Sequence, residues 1–170
     1  MADAFGRLER RQVRSAERRA ADLVSRFYVL APREWERMPY EVRTLDQLAP
    51  GEVREEVLAQ LLCYGVERHV EGRVVEERDL FRICLQDRTI LDRARASTGI
   101  RVSALLLYVL THELVHVVRF GQRMQAIDLP AHLRPTEEAC VDRTARLILT
   151  GADVPGLSEA LERFPLSAGV

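Results

Sequence analysis

Residues 112–116 read His112-Glu113-Leu114-Val115-His116, an H-E-x-x-H pattern inside the apolar run from Leu105 to Phe120. Residues four apart on an α-helix share a face, so His112 and His116 can grip one metal ion through neutral imidazole nitrogens. Glu113 sits one residue along and can reach a water on that metal. This is the arrangement of zinc-dependent hydrolysis, with Glu113 as general base. The plain alternative is a core helix with two satisfied histidines and a chance glutamate. Three polar groups on an otherwise apolar helix count against it, because burying them unpaired is costly.

A catalytic zinc takes three protein ligands and leaves its fourth position to water. The segment from Arg134 to Arg143 offers the third. Pro135 and Thr136 precede Glu137 and Glu138, acids that suit the positive end of a helix. Apolar residues follow at Ala139, Val141, Ala145, Leu147, Ile148 and Leu149, and Gly151 is a stop. Glu138 and Asp142 are four apart and share a face. Glu138 can ligate the metal while Asp142 accepts a hydrogen bond from the far ring nitrogen of a ligand histidine. Glu137 and His132 are the other candidates for third ligand. Either glutamate has an ordinary role as a first-turn acid, and Asp142 has one in an ion pair with Arg143 or Arg146.

H-E-x-x-H on one helix, followed by E-x-x-x-D on the next, resembles the gluzincin zinc peptidases, the thermolysin-like branch of the zincins, in a minimal single-domain prokaryotic form. The resemblance covers about Thr98 to Thr150, and the first half of the chain falls outside it. It implies His112, His116 and Glu138 as ligands, Glu113 as the base and Asp142 as the carboxylate behind a ligand histidine. Zn2+ is the implied cofactor, and a peptide or protein the implied substrate. The resemblance also implies a compact zincin-like fold with a small β-sheet before the metal helix. The metzincin extension requires glycine at position 119 and histidine at position 122; Arg119 and Gln122 exclude that branch. Gluzincins often carry a tyrosine or histidine that stabilises the oxyanion, and His132 and Tyr108 are candidates by residue type. A second functional class is a zinc-binding domain without turnover, serving regulation or interaction, or kept latent by a C-terminal tail that fills the cleft.

The chain has 170 residues and a formal net charge of -1. That length suits a single domain, 1–170, with room for a real core. Near-zero net charge gives no general case for binding nucleic acid or a membrane. Every basic side chain other than histidine is arginine. Cys63, Cys84 and Cys140 are odd in number and match no disulfide framework, which fits buried thiols in a reducing cytoplasm. The N-terminal segment interleaves apolar residues with charge, unlike a secretion signal. These features lead to the expectation of a cytoplasmic protein; its oligomeric state is not legible.

The elements that must position the motif are mainly helical. The fold class expected is mainly α, or α+β if the small sheet is present. Residues 1–30 hold one amphipathic helix, from about Ala4 to Leu30, with Phe5, Leu8, Ala16, Ala20, Leu23 and Phe27 as its apolar stripe. Its arginines, interleaved with Glu9 and Glu17, form a solvated face. Pro32 ends this helix. Arg33 to Pro50 reads as a connection pinned by Trp35 and Tyr40. Glu52 to Val70 reads as mostly helical, through Val53, Val57, Leu58, Leu61 and Leu62, with Gly72 as an end. His69 reads as solvated. From Val74 to Arg95 the pattern is compatible with helix, and Arg88 to Leu91 with a short strand. Ser97-Thr98-Gly99 starts the central helix, which runs to Phe120 and is capped by Gly121. The metal-site helices occupy 98–150, joined by a loop at 122–134 that forms one wall of a cleft. The tail, 152–170, holds a short helix from Leu157 to Phe164.

Overall fold

The longest apolar segment becomes the axis of the molecule. A computed structural model describes residues 4–164, excepting the side chains of 68, 69 and 75–77, so the reading of His69 lies outside the described residues. In chain order the elements are α1 (Arg7–Tyr28), α2 (Pro32–Arg37), β1 (Tyr40–Arg43), β2 (Ala59–Val70), β3 (Arg73–Leu85), α3 (Asp87–Arg95), α4 (Val102–Gly121), α5 (Arg134–Leu149) and α6 (Leu157–Arg163). Short 3-10 turns lie at Leu45–Gln47, Pro50–Glu52 and Ala131–Leu133. The fold is mainly helical with one three-stranded sheet.

α4 is buried without a break from Ala104 to Val118. By length and composition it could cross a bilayer, but 83% of its apolar window is covered by the rest of the domain. A helix that is apolar all round belongs in such a core. Each of Leu105, Leu106, Leu110 and Leu114 is fully buried, contributing about 1.5–3 kcal/mol apiece. α1, α3, α5, α6 and the sheet pack around it in one hydrophobic cluster.

α1 forms as its periodicity predicts, but its buried stripe is Val13, Ala16, Ala20 and Val24. Leu8 is 63% exposed and Phe27 44% exposed. The spacing of three, four and four keeps the observed set on one face. Small residues there let α1 approach α4 closely. Val29 ends α1 in the left-handed conformation. Pro32 then opens α2 rather than closing α1, because a first-turn residue has no N–H to lose. Trp35 does pin this region: its indole N–H donates to Ser25 Oγ at 2.8 Å, and its ring meets Tyr40 edge-on at 5.3 Å.

The largest departure from the sequence reading is at 52–70. Ala59–Val70 is a strand, not a helix, and Leu80 to Leu85 continues its antiparallel partner β3. Leu58, Leu61 and Leu62 suit a helical face equally well. Within β2, however, the residues that meet the core are Ala59, Leu61 and Cys63, which alternate with period two. Glu71 and Gly72 form the hairpin turn with φ of 50° and 77°, the two positive values that a twisted hairpin favours. β3 is central, with β1 parallel on one side and β2 antiparallel on the other. Arg88 to Leu91 is helical, within α3. α4 begins at Val102, later than Ser97-Thr98-Gly99 suggests, because Gly99 turns the chain with φ 85°. α5 and α6 form where expected.

On the outer face of the sheet, Arg82 donates to Glu41 at 2.5 Å and to Glu52 at 2.7 Å. Glu52 also accepts from the Tyr64 hydroxyl at 2.6 Å and from the Ala49 N–H at 2.9 Å. These bonds anchor the irregular segment 53–58 beside β2, where it borders the cleft described next.

Candidate metal centre

His112, Glu113 and His116 are buried on α4, and Glu138 is buried on the first turns of α5. The two helices pack against each other so that one carboxylate faces both rings. His112 Nε2 lies 3.2 Å from Glu138 Oε2, and His116 Nε2 lies 3.0 Å from Glu138 Oε1. One ligand atom from each residue falls within 4.8 Å of the others. Ligands about 2.0–2.1 Å from a tetrahedral zinc stand roughly 3.3 Å apart, so the spacing fits a shared ion with little rearrangement. Burial of all three strengthens the fit, because solvated acids often cluster without a metal whereas buried ones need a partner. His112, His116 and Glu138 could therefore hold a metal ion.

Packing fixes the rings. His116 stacks on Phe120, centroids 5.4 Å apart and planes 14° apart, and meets His112 edge-on at 5.0 Å. The Nδ1 atoms of both histidines are buried with no hydrogen-bond partner. Asp142 does not accept a hydrogen bond from either ring, contrary to expectation. Its Oδ1 accepts from the Tyr108 hydroxyl, and its Oδ2 accepts from Arg146 Nε at 2.8 Å. The reason is axial. Asp142 lies one turn beyond Glu138, level with Tyr108, which is one turn before His112.

The electrostatics follow from burial and these neighbours. Burial pushes the Glu138 carboxyl up, but hydrogen bonds and charge from His112 and His116 outweigh it and hold the group down at about 2. Burial raises Glu113, only partly opposed by the two histidines. Burial acts to lower His116, yet its bond to Glu138 and the nearby carboxylates carry it above the ordinary histidine value. Glu137 is held by Arg119, at 2.5 Å from Nε and 2.7 Å from Nη2. It is thus committed to an ion pair, and Glu138 is the glutamate in the cluster.

Neither residue named as an oxyanion candidate reaches the site. His132 is exposed on the turn Ala131–Leu133, and Tyr108 is fully buried on Asp142; neither lines the cleft. That cleft has a volume of about 1090 Å³ and is bordered by His112, Glu113, His116 and Glu138. Its other walls are the 53–61 stretch leading into β2, Ile127 and Leu129 from the expected loop, and Arg163 with Phe164 at the end of α6. β2 is an edge strand, so its outer hydrogen-bonding row has no strand partner among the described residues. Cys63 also lines the cleft, but burial pushes its thiol up to about 11, leaving no thiolate nucleophile there near neutral pH. All three cysteines are free.

Sequence reasoning missed the β2 edge, the Arg119–Glu137 pair and the place of Tyr108 in the Tyr108–Asp142–Arg146 cluster, while the alternative role of Asp142, an ion pair with Arg143 or Arg146, is met at Arg146. Part of the cluster had a signal: Tyr108 precedes His112 by four, and Arg146 follows Asp142 by four. Comparison with known proteins gives no match, whether to a family model, a curated protein or a solved structure.

Proposed function

We propose that the protein is a zinc-dependent metallohydrolase that cleaves peptide bonds, in the manner of a minimal gluzincin. The observation that carries this reading is the buried convergence of His112, His116 and Glu138 on one wall of a large cleft, with Glu113 beside them. These three residues would hold the ion. When bound, zinc lowers the pKa of water towards neutrality and polarises a carbonyl oxygen. Glu113 then takes a proton from the attacking water as its oxygen bonds to the carbonyl carbon. It returns the proton to the amine nitrogen as the C–N bond breaks. Position supports this role, since Glu113 borders the cleft beside the two histidines, within reach of a water on the ion they would hold. The free edge of β2 supports a peptide substrate, because an extended chain can add to an exposed sheet edge through its backbone.

The test pairs metal stoichiometry with turnover of a peptide library. Wild type is expected to carry about one zinc per chain and to cleave. Glu113→Gln keeps the zinc and loses hydrolysis. A Glu113→Gln protein that cleaves at the wild-type rate would eliminate this mechanism.

One observation favours a latent or non-catalytic zinc domain as the second reading: Arg163 and Phe164 stand on the cleft wall. Removing 152–170 would not test it cleanly, because Leu157 and Ala160 belong to the core. Arg163→Ala in the full chain is the better probe. Cleavage by this variant from a silent parent would indicate latency, and silence in both would favour a binding role.

A further inference from the structure

Tyr108, Asp142 and Arg146 form a cluster that the hydrolytic reading leaves without a role. Tyr108 donates to Asp142, and Arg146 donates from Nε to Asp142 at 2.8 Å and from Nη2 to the Tyr108 oxygen at 2.8 Å. The same guanidinium reaches the C-terminal end of α6. Nη1 donates to the Leu161 carbonyl, and Nη2 donates to the Phe164 carbonyl at 3.3 Å. The last carbonyls of a helix have no partners within it, and an arginine fork is suited to collecting several acceptors at once. α6 has only seven residues, too few to be stable without outside contacts. Its final turn therefore depends on Arg146 as well as on packing by Leu157 and Ala160. That final turn carries Arg163 and Phe164 to the cleft.

We propose that Arg146 is a positioning residue that couples the metal centre to the C-terminal wall of the cleft. Glu138 and Asp142 lie one turn apart on α5, and His112 and Tyr108 one turn apart on α4. A metal that ties Glu138 to the histidines at their present spacing would fix the same helix crossing that the Tyr108–Asp142 bond spans. Arg146 passes that restraint to α6, so the metal centre orders the Arg163–Phe164 wall. By linkage, a ligand lodged against that wall strengthens metal binding to the same extent. This rests on the metal reading above.

The experiment is amide hydrogen exchange on the full chain, metal-free and with zinc chloride, beside measured zinc stoichiometry. In wild type, zinc is expected to slow exchange over 157–164 by about fivefold or more, the low end of ordinary coupling between sites. Arg146→Met keeps the zinc and loses this zinc-dependent slowing at α6, while α4 and α5 retain theirs. Arg146→Lys recovers part of it. A purely structural role for Arg146 would instead loosen α6 equally in both metal states, and that result overturns the coupling. Bound zinc with no effect on 157–164 in wild type overturns it too, while leaving the metal centre intact. Absence of zinc from wild type overturns both the metal centre and the coupling. Should Arg146→Met fail to fold, Tyr108→Phe, which removes a single hydroxyl, is expected to weaken the zinc-dependent slowing in the same direction. Slowing undiminished in Tyr108→Phe would refute the path through α4.

Discussion

Arg119 grips Glu137 with two hydrogen bonds, 2.5 and 2.7 Å long, while the neighbouring Glu138 faces His112 and His116 at 3.2 and 3.0 Å. The pair is largely shielded, with 17% of the Arg119 side chain and 5% of the Glu137 side chain exposed. Removing one partner leaves the other charge buried and alone. Arg119→Met is therefore expected to destabilise the metal-free protein by about 3 kcal/mol. Urea unfolding measures this; a loss below about 1 kcal/mol would place the pair among weak surface bridges.

Glu138 is the residue on which the proposed metal centre is tested. Glu138→Ala would remove one of the three proposed ligands and leave both imidazole Nε2 atoms without their carboxylate. Zinc affinity, measured by chelator competition, is expected to fall by more than the roughly 10–100-fold typical of losing a group behind a ligand. Glu137→Ala, by contrast, should change stability far more than zinc affinity. Undiminished binding in Glu138→Ala would transfer the third position to another residue.

Glu52 predicts an acid limb in the stability profile. Hydrogen bonds from Tyr64, the Ala49 N–H and Arg82 hold its carboxyl down at about 2, against an ordinary value of 4.5. The unfolded chain therefore binds the proton more tightly than the folded one. The contribution to stability is full above about pH 4.5 and is lost as pH falls towards about 2. Glu52→Gln should be less stable than wild type at pH 6, and the gap should narrow at pH 3. Parallel urea midpoints for the two proteins across that range would refute the assignment. Both are measured with chelator present, so that metal release at Glu138 does not enter the comparison.

Gly156 is where the C-terminal segment meets the start of α4. Its φ is 85°, and a Cβ there would stand 2.8 Å from the Gly99 carbonyl and 3.0 Å from the Arg101 nitrogen, both backbone atoms. Gly151 has a similar φ of 82° with open space around it. Gly151→Ala is expected to cost about 1 kcal/mol from backbone conformation alone, and Gly156→Ala at least about 2 kcal/mol because the contact adds to it. Thermal unfolding of the two variants side by side isolates the contact. Equal losses would mean that the backbone there yields freely.

Local periodicity carried the sequence reading where it succeeded. The H-E-x-x-H face, the acidic start of α5, the helix at 157–164 and the existence of α1 all depend on neighbours three and four residues away, which a sequence displays directly. The same reasoning failed at 52–70. Leu58, Leu61 and Leu62 satisfy a helical face, whereas in the strand Leu61 and Leu62 point to opposite sides, and pairing with β3 decides between the two. The expected stripe of α1 holds at Phe5, Ala16, Ala20 and Leu23 and fails at Leu8 and Phe27, which are apolar but 63% and 44% exposed.

The amino-acid order by itself determined that two imidazoles and a carboxylate share a buried helix, because the spacing of an α-helix is set within one turn. The tertiary structure decided their partners. Glu138 rather than Glu137 meets the rings, and Glu137 pairs with Arg119 instead, because the α4–α5 crossing turns the Glu138 face of α5 to the histidines. Asp142 serves Tyr108 rather than a histidine because the α4–α5 crossing sets it level with Tyr108, whereas its pair with Arg146, four residues along α5, is local. Such choices depend on the angle and register at which separate elements pack. Those are fixed by the whole core, and no local pattern in the chain encodes them.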